Sequence, residues 1–311
     1  MKLVFMGTPD YAVNTLEALI AAGHNVAAVF AQPDKPVGRK HIITAPPVKV
    51  CAQKHGITVY QPNTLRDGKV EEILKEIAPD AIVVVAYGKI LPKEILDIPK
   101  YGCVNGHASL LPKYRGASPI QWCIVCGESR TGVTAMKMDE GMVTGDILKT
   151  VETKIGEEET AEELFCRLSG ITAELLVNTL ADLEKGNITP QKQDEEKASY
   201  APIIKKEIAQ LDFSNKTAKE IHNAVRGYYS WPCAYFFLEN KRVKVIKAAV
   251  AENTSSKAGT VIKSDDSLVI ACKDGTAVEL VTVQPEGSKP MTAKQMLCGR
   301  PIATGTVIGC E

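Results

Sequence analysis

The sequence predicts an α/β protein in which a doubly wound, Rossmann-like domain is followed by a small β-barrel domain of OB type. Three observations carry that expectation. The chain opens on an apolar run at 3–6, a turn at Gly7-Thr8-Pro9-Asp10, an apolar-periodic stretch over 11–22 closed by Gly23, and a second apolar run at 26–30. That is the strand, helix, strand opening of a doubly wound sheet. Residues 81–86 are apolar on both faces, as a strand in the middle of a parallel sheet must be. Beyond residue 206 come five short runs, at 234–238, 243–249, 259–262, 267–272 and 278–283, with Asp274-Gly275 as a turn, which suits a small Greek-key barrel.

With 311 residues the chain has room for two cored domains. We expect the first at 1–188, a polar linker with two prolines at 189–206, and the second at 207–311. Formal net charge is zero, so any pull on a nucleic acid must come from local patches. The nine cysteines are odd in number and scattered, which points to a reducing cytoplasm rather than a disulfide framework. Cys123-Ile124-Val125-Cys126 lies in an apolar segment without a second pair of ligands and reads as core. The first apolar run is too short for a signal sequence, and no later stretch reads as a membrane span. The opening turn lacks G-x-G-x-x-G, so a nicotinamide or flavin enzyme loses its main support.

The remaining elements follow in order. Residues 32–47 form a long, Pro-rich loop carrying Lys35, Arg39, Lys40 and His41, and loops of that length are usually functional or disordered. A helix over 48–55, a strand at 58–60 and a helix at 68–77 lead to the strand at 81–86. A strand at 132–138 turns through 139–146 and resumes at 147–148, before a helix over 160–184. A helix at 217–226 opens the second domain and ends in Gly227-Tyr228-Tyr229-Ser230-Trp231-Pro232. Aromatics at a helix end beside a Pro read as packing residues, although they could stack on bases.

The chain is organised around Val104-Asn105-Gly106-His107-Ala108-Ser109-Leu110-Leu111-Pro112-Lys113-Tyr114-Arg115-Gly116. In extended chain Asn105 and His107 project to one face, and an amide beside an imidazole can hold a carbonyl oxygen and move a proton. Pro112 and Gly116 place the pair where a strand gives way to a loop, the usual ligand position in open α/β sheets. On spacing alone, a satisfied structural pair is the commoner reading.

This stretch resembles the Asn-x-His-x-Ser-Leu-Leu-Pro signature of the folate-dependent formyltransferases. Gln32-Pro33-Asp34-Lys35-Pro36-Val37-Gly38-Arg39 and Val283-Gln284-Pro285-Glu286-Gly287-Ser288-Lys289-Pro290-Met291 resemble the branch that acts on methionyl initiator tRNA. The resemblance implies formyl transfer from 10-formyltetrahydrofolate, without a metal or redox cofactor, by a cytoplasmic and monomeric protein that needs no membrane. It makes Asn105 the donor to the developing oxyanion and His107 the stabiliser of that charge or the proton carrier. It places Ser109, Leu110, Leu111, Pro112, Tyr87, Gly88 and Ile90 against the folate. It also turns the 32–47 loop toward the acceptor end of the tRNA, with Lys35, Arg39 and Lys40, joined by Lys205 and Lys206, as the basic set.

One residue departs from the family. Its third catalytic group is an Asp in a turn spelled Asp-x-Gly-Leu/Met-Asp-Thr-Gly-Asp, and this chain has Asp139-Glu140-Gly141-Met142-Val143-Thr144-Gly145-Asp146. Val143 cannot orient or charge a histidine. We expect a protein that folds and binds folate with strongly reduced turnover. Recruitment of Asp139, Glu140 or Asp146, or a change introduced into this sequence, are the other readings. Gly106 stands where Ile or Val is common and is expected to loosen the strand between Asn105 and His107. A sugar-amine formyltransferase, or a non-catalytic folate- or tRNA-binding relative, are the alternatives to the tRNA enzyme.

Overall fold

The computed structural model describes residues 1–38 and 40–308 and divides into two units. The first comprises Met1–Pro119, Arg130–Thr153 and Phe165–Ala201. The second comprises Ile120–Ser129, Lys154–Leu164 and the chain from Pro202 onward.

Up to residue 201 the elements are β1 (Lys2–Gly7), α1 (Asp10–Ala21), β2 (Asn25–Phe30), β3 (Lys35–Val37), β4 (Ile42–Thr44), α2 (Pro47–Lys54), β5 (Val59–Tyr60), α3 (Lys69–Ile77), β6 (Ala81–Val85), α4 (Lys93–Leu96), β7 (Cys103–His107), β8 (Arg115–Gly116), α5 (Pro119–Val125), β9 (Arg130–Lys137), β10 (Ile147–Lys154), α6 (Ala161–Glu184) and β11 (Tyr200–Ala201). Seven strands form one sheet in the order β10-β9-β7-β6-β1-β2-β5. From β5 to β7 neighbours are parallel, and β9 runs antiparallel to β7. Every residue of β6 is buried, because helices cover both faces of such a sheet. The chain leaves β1 for β2 on one side and returns with β6 on the other, so the crevice at the carboxyl ends of β1 and β6 is the switch point where doubly wound sheets bind ligands.

Three expectations are corrected here. The 32–47 segment is not an irregular loop: β3 and β4 pair antiparallel, with Lys35 opposite Thr44 and Val37 opposite Ile42. Residues 189–201 are not a free linker, since Gln191 bridges Ile147 and β11 pairs parallel with β8. Their polarity serves hydrogen bonds made inside the first unit. Finally, α6 is long and apolar enough to cross a membrane by length and composition, yet half of its most apolar stretch is buried in protein, with Leu168, Leu176 and Leu180 fully covered. The alternation of those leucines with polar residues is that of a core helix.

The second unit contains α7 (Ala218–Gly227), β12 (Tyr235–Leu238), β13 (Lys241–Ala251), β14 (Val261–Ser264), β15 (Leu268–Ala271), β16 (Ala277–Pro285), β17 (Met291–Thr292) and α8 (Ala293–Gly299). The five expected strands are present, in the antiparallel order β12-β13-β16-β15-β14, with β17 added on β16. Register shifts on either side of Lys247 bend β13, as bulges do. Among the described residues β12 and β14 remain the two ends of the ladder. Phe213 and Phe236 meet edge to face at 5.9 Å in the core. A capping box formed by Thr217 and Glu220 starts α7. At its other end the buried Arg226 donates to the carbonyls of Gly156 and Glu159, both at 3.1 Å, and to Asn223 Oδ1. Tyr228 is core as expected, whereas Trp231 is 54% exposed.

Candidate active site

Asn105 and His107 occupy the last positions of β7, between β6 and β9, with Asn105 opposite Val84 and Met136 and His107 opposite Thr134. Period-2 alternation puts both on the face opposite Gly106. A Cβ on Gly106 would lie 2.7 Å from Thr172 Cγ2 and 2.9 Å from Leu176 Cδ1 of α6. Gly106 therefore leaves no cavity: Thr172 and Leu176 of α6 fill the space that a side chain would take. Loosening of the strand is not seen either, since Gly106 pairs with Ala135 in a continuous ladder.

Asn105 Nδ2 donates to the carbonyl of Val84 at 2.9 Å. That bond uses one amide proton and orients the other. His107 is 8% exposed, and its Nε2 lies 3.0 Å from the carbonyl oxygen of Tyr114. A carbonyl can only accept, so the hydrogen sits on Nε2 and the neutral ring presents Nδ1 as its basic nitrogen. Burial pushes the His107 pKa below its ordinary value, opposed by the bond to Tyr114.

The loop after β7 closes on itself. Ser109 Oγ donates to Lys113 O at 2.6 Å, and Thr134 Oγ1 donates to Ser109 O at 2.7 Å while accepting from Leu111 N. Ser109 is thus buried and fully engaged in shaping the loop, and Leu111 is also buried, while Leu110 and Pro112 are half-buried. At the switch point Thr8 Oγ1 and Gln32 Nε2 both donate to Tyr87 O at 3.1 Å. The Tyr87 ring belongs to the core with Leu91 and Ile95. Its hydroxyl has no hydrogen-bond partner among the described residues, and burial pushes its pKa up to about 12. Gly88 and Ile90 are exposed beside it.

The turn after β9 is well tied. Asp139 Oδ1 accepts from Gly141 N and from Thr144 Oγ1 at 2.7 Å, and Lys137 N donates to Asp146 O. A Cβ on Gly145 would fall 1.8 Å from Lys137 O, so this close approach requires glycine. Val143 stands at φ +63°, a left-handed conformation that Asp, Asn and Gly adopt and that a β-branched residue resists. The backbone therefore retains a shape suited to Asp where the side chain is Val. Of the carboxylates that could substitute, Asp139 is consumed in building the turn, and Glu140 is exposed, 3.8 Å from Lys93. A cleft of about 340 Å³ beside the turn is lined by Lys93, Asp97, Lys137 and Glu140, with neither Asn105 nor His107 in its wall.

Two site residues escaped the sequence reading. Gln193 Nε2 donates to Val143 O at 3.0 Å and Gly145 O at 2.8 Å, while its Oε1 accepts from Arg115 Nε at 2.9 Å. Arg115, fully buried, pairs bidentately with Glu195 at 2.8 Å. Since Tyr114 holds His107, this clamp ties the histidine's anchor to the turn bearing Val143. An Arg near the end of a motif destined for burial was the available signal; Gln193, in a polar stretch, offered none. Of the basic set, Lys35 and Lys40 are exposed on the β3–β4 hairpin, Lys205 and Lys206 are exposed in the second unit, and Arg39 lies outside the described residues.

Sequence patterns of two domain families match: formyl transferase over residues 1–180, and formyl transferase, C-terminal domain, over 203–301. The chain belongs to the formyl transferase family. Residues 1–180 fall mostly in the first unit and 203–301 wholly in the second. Among relatives, a methionyl-tRNA formyltransferase of Thermodesulfovibrio yellowstonii is 47% identical over 303 residues, 97% of each chain. One of Lachnospira eligens is 48% identical over 99% of this chain and 100% of its own. The N-formyltransferase of Helicobacter canadensis, solved in complex with folinic acid and dTDP-3-aminofucose, has a TM-score of 0.67 at 22% identity, over 92% of this chain and 99% of its own. That level of identity speaks to the fold alone.

Proposed function

We propose that this chain transfers the formyl group of 10-formyltetrahydrofolate to the α-amino group of methionyl initiator tRNA. The supporting observation is the pairing of Asn105 and His107 on one face of β7, in a chain that matches methionyl-tRNA formyltransferases over nearly its full length. Attack of the amine on the formyl carbon forms a new C–N bond and places negative charge on the carbonyl oxygen. The Asn105 amide proton not bonded to Val84 is the donor for that oxygen. Collapse breaks the bond from carbon to N10, and the proton lost by the amine must reach N10. His107, neutral and presenting Nδ1, carries it. The exposed Gly88 and Ile90 and the half-buried Leu110 and Pro112 offer the surface for the folate; Ser109, Leu111 and Tyr87 support from beneath. The hairpin lysines and Lys205 and Lys206 serve the tRNA, with the antiparallel sheet of the second unit as an OB-type platform.

Val143 favours a second reading, a folate- and tRNA-binding protein with little turnover. Single-turnover transfer to methionyl-tRNA, measured for this chain and for Val143→Asp, separates the two. A large gain with unchanged folate affinity identifies a formyltransferase lacking its relay. Transfer by neither protein, with both ligands still bound, leaves the binding role.

A further inference from the structure

Away from the switch point, α1 and α2 bring three donors of different chemistry together. Cys51 Sγ donates to Glu17 Oε1 at 3.2 Å, and His55 Nε2 lies 2.8 Å from Glu17 Oε2. The three ligand atoms lie within 4.8 Å of one another, the one such group among the described residues. Cys51 and His55 are four apart at the end of α2, so one helix face presents thiol and imidazole together. Glu17, from the middle of α1, reaches both. Cys51 is 4% exposed, while the His55 and Glu17 side chains are 35% and 48% exposed. The sulfur is thus shielded and the opposite side open to solvent.

We propose that Glu17, Cys51 and His55 form a binding site for a borderline-soft divalent cation of the zinc type. One sulfur, one nitrogen and one oxygen donor are the ligands zinc takes, and three protein ligands with an open fourth position leave room for a water. In the metal-free protein the thiol is a protonated donor to Glu17, its pKa pushed up to about 12 by burial and by that carboxylate. Metal binding replaces this hydrogen bond: the S–H bond breaks, a sulfur–metal bond forms, and one proton passes to solvent. His55 binds through Nε2, whose hydrogen, donated to Glu17 in the metal-free protein, moves to Nδ1 as the ring changes tautomer. The carbonyls closing α2 add favourable negative potential. The ion would pin α1, whose start adjoins the switch point, to α2, whose start follows the hairpin. It takes no part in formyl transfer.

The test uses the full chain with Cys126, Cys166, Cys298 and Cys310 replaced by Ser, titrated with Co²⁺ and then Zn²⁺. The expected result is a thiolate-to-cobalt charge-transfer band saturating at one equivalent and abolished by Zn²⁺. The band should vanish in Cys51→Ser. Affinity should fall tenfold or more in His55→Ala and Glu17→Gln, two exposed positions where folding is not at issue. Absence of the band, its survival in Cys51→Ser, or unchanged affinity in both exposed variants would each overturn the site.

Discussion

On the proposed function, Val143→Asp should make the protein both faster and more stable. The stability gain comes from the backbone. Holding a non-glycine residue in the left-handed region costs roughly 1–2 kcal/mol, and Asp and Asn relieve much of it through local hydrogen bonding. Val143 sits there at φ +63°, half-buried, with its carbonyl tied to Gln193. A new carboxylate would meet solvent on one side and suffer little desolvation. A gain of about 1 kcal/mol corresponds to a rise in melting temperature of about 2–4 °C for a unit of this size. The rate gain, by contrast, needs the charge: general acid–base assistance contributes roughly 10²–10⁴-fold. The assay compares Val143, Val143→Asp and Val143→Asn by chemical denaturation and by single-turnover formyl transfer. Both variants should gain stability, and Asp alone should gain rate. A lower midpoint for both, or transfer by Val143→Asn as fast as by Val143→Asp, would refute the reasoning.

Three further outcomes follow from the site. Gln193→Ala removes both bonds to the turn and leaves Arg115 Nε unpaired, so stability should fall by about 1–2 kcal/mol in a denaturant titration, and in a Val143→Asp background kcat should fall more than KM for the folate changes. His107 has a pKa lowered by burial from its ordinary value of 6.5; its neutral form therefore stabilises the fold above about pH 6.5, an advantage lost as pH falls through the lower folded value, at about 1.4 kcal/mol per unit of depression. The acid limb of the rate profile should accordingly lie below pH 6.5 and move upward in Val143→Asp, where a carboxylate favours the charged ring. Replacing Lys35 and Lys40 by Ala should reduce the slope of log affinity for tRNA against log salt by about one for each phosphate no longer neutralised, and an unchanged slope across the titration would remove the hairpin from the interface.

Much of this arrangement could be read from local pattern. The doubly wound opening, the buried strand at 81–86 and the five short strands all announce themselves through periodicity, and Asn105 and His107 share a face because strands alternate. What failed was non-local. Residues 32–47 carry Pro36, Gly38 and charges that locally favour loop, but cross-strand pairing between Lys35 and Thr44 outweighs propensity. Residues 189–201 look like linker since their partners lie far along the chain, the Gln193 side chain at Arg115 and the Gln191 backbone at Ile147. The effect of Gly106 is hidden for the same reason, because the space beside it is filled by Thr172 and Leu176 of a helix much later in sequence.

The clamp made by Gln193 also has a consequence in time. The turn that bears Val143 is complete as sequence when the chain has reached Asp146, but the group that pins its carbonyls lies 50 residues beyond Val143 and 78 beyond Arg115. During synthesis the central strands can pair while this turn is still untethered, and the buried Arg115 waits for both Gln193 and Glu195. Closing so long a loop is slow relative to forming local structure. The turn bearing Val143 therefore gains its tether only after the strands of the seven-stranded sheet have left the ribosome.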